Sequence, residues 1–201
     1  VQRLRTETVP DVKASASKRK TPCYGVSLGD IAYSQGPRNA TYLLPIIKEE
    51  MSAANLGMPL FQTMGNHDNE HEAIALNSHN ATPAVRYQRT FESVFGPVNY
   101  SWNRGNAHIV SMNNVMYTSL ESSGKYHGDF SDDQVEWLRQ DLQYVPKDKL
   151  LIFCVHIPLA GILKYENVQK VLAMLREFEH CHIMAGHTHY NRNFVHSNGI
   201  Y

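Results

Sequence analysis

The sequence predicts a mixed α/β domain with helices packed outside sheet layers, and three observations carry that expectation. Four short apolar segments, residues 23–28, 59–64, 150–155 and 181–185, read as strands, and each runs directly into polar residues able to bind a metal. Segments with 3.6-residue apolar spacing lie between some of them. Residues 98–102 and 107–112 flank the turn signal Arg104-Gly105-Asn106, which marks a hairpin. Strands that alternate with helices in one place and pair as hairpins in another call for mixed sheets. At 201 residues, without internal repeat, low-complexity tract or linker, residues 1–201 read as one domain.

Each element has its own signal. Residues 1–20 read as a loop and then a helix with Pro10 near its start. Strand 23–28 enters Gly29-Asp30, and a helix over 44–55 is expected to open at Pro45 and stop at Gly57. Strand 59–64 enters Gly65-Asn66-His67-Asp68. The polar stretch 69–82 reads as a long loop, and 84–95 as a helix ending at Gly96-Pro97. Residues 117–127, rich in Ser, Gly, Tyr and His, read as a solvated loop, including Lys125, Tyr126 and His127. Ser131 caps a helix running to Tyr144 whose buried stripe is Leu138, Leu142 and Val145, with Val135 nearby. Strand 150–155 ends at His156-Ile157-Pro158, a helix covers 166–178, and strand 181–185 enters Gly186-His187-Thr188-His189 before a last fragment of strand. Strand ends of this kind are expected to converge on a single sheet edge, where α/β proteins build their sites.

Composition removes several classes of function. Basic and acidic residues balance at 19 each, so no charge excess points to nucleic acid or an anionic membrane as partner. The longest clean apolar run, 150–155, is far too short to span a bilayer. Residues 1–13 carry charge without an apolar core and hold no secretory signal. A leader already removed would leave the same sequence, so the compartment stays open between cytoplasm and export. Three cysteines, Cys23, Cys154 and Cys181, do not make a disulfide framework and read as reduced residues of buried strands. Oligomeric state has no signal.

The 11 histidines stand out, several of them at strand ends. Asp30, Asn66, His156, His187 and His189 are the candidate metal ligands. Carboxylate, amide oxygen and imidazole suit Mn, Fe or Zn, and no cysteine pair has zinc-finger spacing. Two divalent ions, one carboxylate bridging them, clamp both oxygens of an in-line displacement and supply a bound hydroxide near neutral pH. His67 lies beside Asn66 and is the candidate catalytic residue, to protonate a departing oxygen or to stabilise phosphoryl charge. Asp68 is expected to orient the His67 ring. Singly these are weak signals, since Gly-Asp and Asn-His-Asp are also turn chemistry. Five such groups after four strands are a joint pattern.

In order along the chain, Gly29-Asp30, Gly65-Asn66-His67-Asp68, His156 and Gly186-His187-Thr188-His189 resemble the motifs of the calcineurin-like metallophosphoesterase superfamily. The likeness covers residues 23–190, and Phe95-Gly96-Pro97, Tyr100-Ser101-Trp102 and His108-Ile109-Val110 look like the central hairpin of its bacterial members. It implies a four-layer α/β/β/α sandwich. It implies Asp30 as the bridging ligand, Asn66, His156 and His187 on one ion, and His189 on the other, with His67 catalytic and Asp68 its partner. It also implies hydrolysis of a phosphate ester, mono- or diester, on a small-molecule or protein substrate.

Two departures qualify the likeness. The family opens with an Asp-x-His element closing its first strand, and nothing here matches it; Asp11 lies in an expected helix. The first strand and its aspartate, and a segment after Tyr201, are therefore expected to lie outside this sequence. Gly29-Asp30-Ile31-Ala32-Tyr33 is similar to the motif of purple acid phosphatases, where the tyrosine binds iron; here Tyr33 is expected only to pack beside the site. The competing readings are a nuclease, disfavoured by the neutral charge, and a non-catalytic scaffold, disfavoured by the intact His67-Asp68 pair.

Overall fold

The computed structural model describes residues 4–32, 40–69, 88–117, 126–193, 195–196 and 199–200. A π-helical stretch, Leu4–Thr8, leads into α1 (Val9–Ser17). Then come β1 (Gly25–Ser27), α2 (Ala40–Ala54), β2 (Leu60–Gln62), α3 (Arg89–Phe95), β3 (Tyr100–Arg104), β4 (Ala107–Ser111) and β5 (Val115–Tyr117). The order continues with β6 (Tyr126–Gly128), α4 (Asp132–Leu142), β7 (Leu150–Cys154), α5 (Glu166–Leu175), β8 (His180–Met184), β9 (Val195–His196) and β10 (Gly199–Ile200).

The larger sheet is mixed, in the order β3-β4-β7-β8-β10-β9. β3 and β4 pair antiparallel, while β4, β7 and β8 run parallel with Ser111, Cys154 and Met184 level. That register ends β7 and β8 side by side, and Gly186 N–H donates to the His156 carbonyl at 3.0 Å. β1 and β2 form a separate parallel pair, Gly25 opposite Leu60 and Ser27 opposite Gln62. β5 and β6 form a small antiparallel pair.

The two parallel layers face each other. Phe61 stacks on Trp102 at 4.0 Å between centroids, Tyr24 meets both rings edge-on, and the Thr63 and Ser111 hydroxyls lie 2.8 Å apart. Aromatic overlap of this kind is worth about 0.5–1.5 kcal/mol beyond burial. Helices cover both outer faces. Leu138 and Leu142 of α4 and Val168, Val171, Leu172 and Leu175 of α5 pack with Leu151 and Phe153. Ala40, Leu44 and Ile47 of α2 and Phe91 of α3 pack with Met64. The layers are α/β/β/α, as the likeness implied.

Several local expectations need correction. Pro45 lies inside α2 rather than at its start, because the buried face Ala40, Leu44, Ile47 continues through it at helical spacing. A proline there removes one backbone bond, and the packed face carries the helix across it. α2 ends at Ala54, and Asn55, with a φ of 46°, turns the chain before Gly57. Cys23 precedes β1, and it and Cys181 are only half-buried, whereas Cys154 is fully buried. Burial pushes the Cys154 and Cys181 thiols up to about 12, so neither ionises near neutral pH. The expected loop at 117–127 is not all loop, since Tyr117 belongs to β5 and Tyr126 and His127 to β6. The expected loop at 70–82 and the first residues of the helix expected at 84–95 lie outside the described residues. No described helix is long and apolar enough to cross a membrane.

α4 starts on a capping box: Ser131 Oγ accepts from Gln134 N–H, and Gln134 Oε1 accepts from Ser131 N–H. It is pinned to the sheet by Asp141, whose oxygens accept from the Ser101 hydroxyl at 2.7 Å and meet buried His108 Nε2 at 2.8 Å. Burial raises the Asp141 carboxyl, but the bonds from His108 and Ser101 outweigh it and hold the group below its ordinary 3.8. A depressed carboxyl contributes stability above its ordinary value and loses it as pH falls through the folded one. Urea unfolding between about pH 4 and pH 2 should therefore show a steeper loss of stability in the wild type than in Asp141→Asn. Equal slopes would remove Asp141 from the acid response.

Candidate metal centre

The candidate residues follow strands of two sheets, not the single sheet edge expected. β1 and β2 end at the same level as β7 and β8 across the interlayer space, so four loops meet at one end of the sandwich. The crossing is tight. Gly29 has φ 95°, and a Cβ on it would sit 2.6 Å from His156 Nδ1. A Cβ on Gly65 would lie 2.3 Å from both the backbone nitrogen and Oδ1 of Asp30. Asp30, His187 and His189 take left-handed φ values of 57°, 67° and 57°, conformations a non-glycine residue adopts at a cost when its surroundings demand it.

The amide oxygen of Asn66 is the focus. His156 Nε2 lies 2.9 Å from Asn66 Oδ1, and His187 Nδ1 lies 3.0 Å from it. Asp30 Oδ2 is 3.3 Å from His156 Nε2. One potential ligand atom each from Asp30, His156 and His187 lies within 4.8 Å of the others. The His156 Nδ1 faces the Leu28 carbonyl at 2.7 Å; a carbonyl only accepts, so Nδ1 carries the proton and Nε2 is turned to the centre. Burial alone lowers the His156 imidazole, but the hydrogen bond and charge of Asp30 outweigh it and hold it above its ordinary 6.5. Burial likewise raises Asp30, and His156 and the His67 N–H pull it below its ordinary value. His187 is lowered, first by burial and then by the charge of His156.

His189 lines the same cleft of about 380 Å³ with Asp30, His156 and His187, standing apart from the tight group. His67 is anchored by its backbone N–H, which donates to Asp30 Oδ1 at 2.9 Å, and its charge is felt at both Asp30 and His187. Asp68 is fully buried. Its Oδ2 accepts from the backbone N–H of Asp30 at 2.7 Å and of Gly65 at 2.9 Å, and its Oδ1 from that of Ala32 at 2.8 Å. Burial pushes the carboxyl up to about 6, against the three donors that favour its anion.

Sequence reasoning missed several contributors. Buried Asn114 accepts on Oδ1 from the His156 and Ile157 N–H groups and donates to the Ile157 carbonyl at 2.7 Å, fixing the turn after β7. Its signal was a buried-strand ending in Asn113-Asn114. Tyr126, read as part of a solvated loop, brings its ring to 6.0 Å from that of His187. Tyr117 donates to the Asn66 carbonyl at 3.1 Å. Tyr33 and Lys125 lie outside the described residues.

The model of the calcineurin-like phosphoesterase family matches residues 17–191. This chain belongs to that family. The chain is 26% identical over 147 residues to a probable glycerophosphodiester phosphodiesterase of Arcobacter nitrofigilis, covering 67% of this chain and 46% of that protein. It is also 26% identical over 204 residues to a probable cyclic nucleotide phosphodiesterase of Rhodococcus erythropolis, covering 94% of this chain and 57% of that protein. The chain thus spans about half the length of these relatives. Among solved structures, a purple acid phosphatase from yellow lupin (Lupinus luteus) seeds shares the fold at a TM-score of 0.54 and 15% identity, over 92% of this chain and 33% of that one.

Removing the Asp68 carboxylate leaves three backbone N–H groups without their acceptor. Asp68→Ala should cost about 3 kcal/mol or more in urea unfolding. Gly65→Ala should be comparably damaging because its Cβ collides with backbone. Wild-type midpoints for both variants would show that the loop crossing is not held this way.

Proposed function

We propose that this chain carries the centre of a metal-dependent phosphoesterase that hydrolyses a phosphodiester of a small molecule. The supporting observation is the cluster of Asp30, His156 and His187, whose potential ligand atoms lie within 4.8 Å of one another, with both imidazoles against the Asn66 amide oxygen. The donor set fits a divalent cation: two imidazoles, a carboxylate and an amide oxygen suit Mn, Fe or Zn, and no thiolate competes. Asp30 would bridge two ions, with Asn66, His156 and His187 on one and His189 on the other. Such ions, when bound, lower the pKa of a water and offset charge on the phosphoryl oxygens. Both relatives reported above are named as phosphodiesterases, which favours a diester.

The chain's own residues do the rest. His67, next to Asn66 in the chain, gives a proton to the departing oxygen or holds charge on the phosphoryl group. Its backbone bond to Asp30 Oδ1 keeps its position tied to the proposed bridging carboxylate. Asp68 acts as a positioning residue through the backbone of both turns. The Leu28 carbonyl holds the His156 tautomer that presents Nε2.

Assayed with bis(p-nitrophenyl) phosphate and Mn²⁺ or Zn²⁺, His67→Ala should lower kcat by about 10²–10⁴-fold while metal content is retained. Asp30→Ala should lose metal and turnover together. Full activity in chelator, or in Asp30→Ala, sinks the proposal.

A ligand imidazole must be neutral, and His156 is held above its ordinary value by Asp30. Zn²⁺ affinity measured by calorimetry should therefore rise with pH through and just above 6.5, with proton release that depends on buffer. A pH-independent affinity across that window contradicts His156 as ligand.

A further inference from the structure

Beside the ligand cleft runs a larger one of about 680 Å³, walled by the segments that follow β7 and β8. The two share Leu28, Gly186, His187 and Tyr190, so they form one continuous depression. Their chemistry differs. The larger cleft has Ile157, Leu159 and Ile162 on one side and Ile183 on the other, and its polar residues lie along 186–193. Two large side chains of its lining are left open to water, Met184 at 43% and Tyr190 at 72%. Exposed apolar surface grouped at one depression marks a binding place rather than scatter. The Arg192 guanidinium lies 5.3 Å over the Tyr190 ring, which puts a cation at the rim.

The ligand cluster engages only the phosphoryl group of an ester, and the alcohol part extends from it into whatever depression adjoins. We infer that the larger cleft receives that alcohol part, and that it is an apolar group, aryl or branched alkyl, rather than a polyol. The apolar wall cannot partner the hydroxyls of a polyol, and burying them unpaired is costly. Tyr190 offers a ring face for stacking, and Arg192 favours the anionic ester. This inference rests on the phosphoesterase reading above.

Gly161 allows a direct test, because it lines the cleft and a Cβ built on it meets nothing within 4 Å. Metal-free protein is titrated with benzyl alcohol or with glycerol while the isoleucine and leucine methyl resonances are followed. Benzyl alcohol should shift Leu159, Ile162 and Ile183, glycerol should not, and Gly161→Leu should weaken the benzyl alcohol response about tenfold with its melting temperature retained. The exposed Tyr190→Ala serves as a second variant should Gly161→Leu fail to fold. With metal, the wild type should prefer bis(p-nitrophenyl) phosphate over methyl p-nitrophenyl phosphate in KM, and Gly161→Leu should erase the preference. The inference is overturned if glycerol acts like benzyl alcohol, or if the shifts fall on other methyls. It is equally overturned if those methyls respond to protein concentration instead, or if the variant keeps the ester preference. Methyl shifts as expected without any hydrolysis would refute the phosphoesterase reading alone, because the titration needs no turnover.

Discussion

Everything at the active end of this molecule depends on one buried carboxylate held by backbone. Asp68 gathers the N–H groups of Asp30, Ala32 and Gly65, and so clamps the turn after β1 to the turn after β2. The clamp works only because Gly65 has no side chain where Asp30 passes. Once the turns cross, Asp30 is forced into a left-handed conformation with its carboxylate aimed at His156. The strain there is borne by a network of charge-assisted bonds, which are stronger than neutral ones in a buried setting.

The second constraint is register. β7 and β8 end level, so His156 and Gly186 emerge as neighbours joined by a backbone bond. Stacking of Phe61 on Trp102 and contact of Thr63 with Ser111 set the β1–β2 layer over the larger sheet. Layer packing therefore carries the distances at the centre, and the Asn66 oxygen is positioned from both layers at once. Two imidazoles against one amide oxygen, with a carboxylate beside one of them, are thus pre-placed by strands rather than by long loops.

The strands and the helix capped by Ser131 were legible, and the strand-end residues could be named as candidates, because each has a local cause: apolar runs, a capping box, polar residues after the last apolar one. What was not legible came from elsewhere in the chain. Pro45 signalled a helix start, yet the buried stripe of Ala40, Leu44 and Ile47 overrides it. Gly57 signalled the stop, but Asn55 turns first. Tyr126 sits in a stretch that reads as solvated, and only the β5–β6 pairing brings it to His187. Asn114 shows only as a polar residue after a strand; its value lies in pairing the backbone of a turn 42 residues downstream.

By itself the sequence determined which residue types are available and where strands deliver them, because periodicity and turn chemistry are local properties of the chain. It also determined the family, since the Gly-Asp, Gly-Asn-His-Asp and Gly-His-Thr-His motifs occur in order. Only the tertiary structure decided that the motifs come from two layers, that Asn66 is their focus, and that both Asp68 oxygens are taken by backbone donors. Those outcomes depend on how sheets stack and how strands align, and contacts between residues 38 to 128 positions apart leave no periodic trace in the chain.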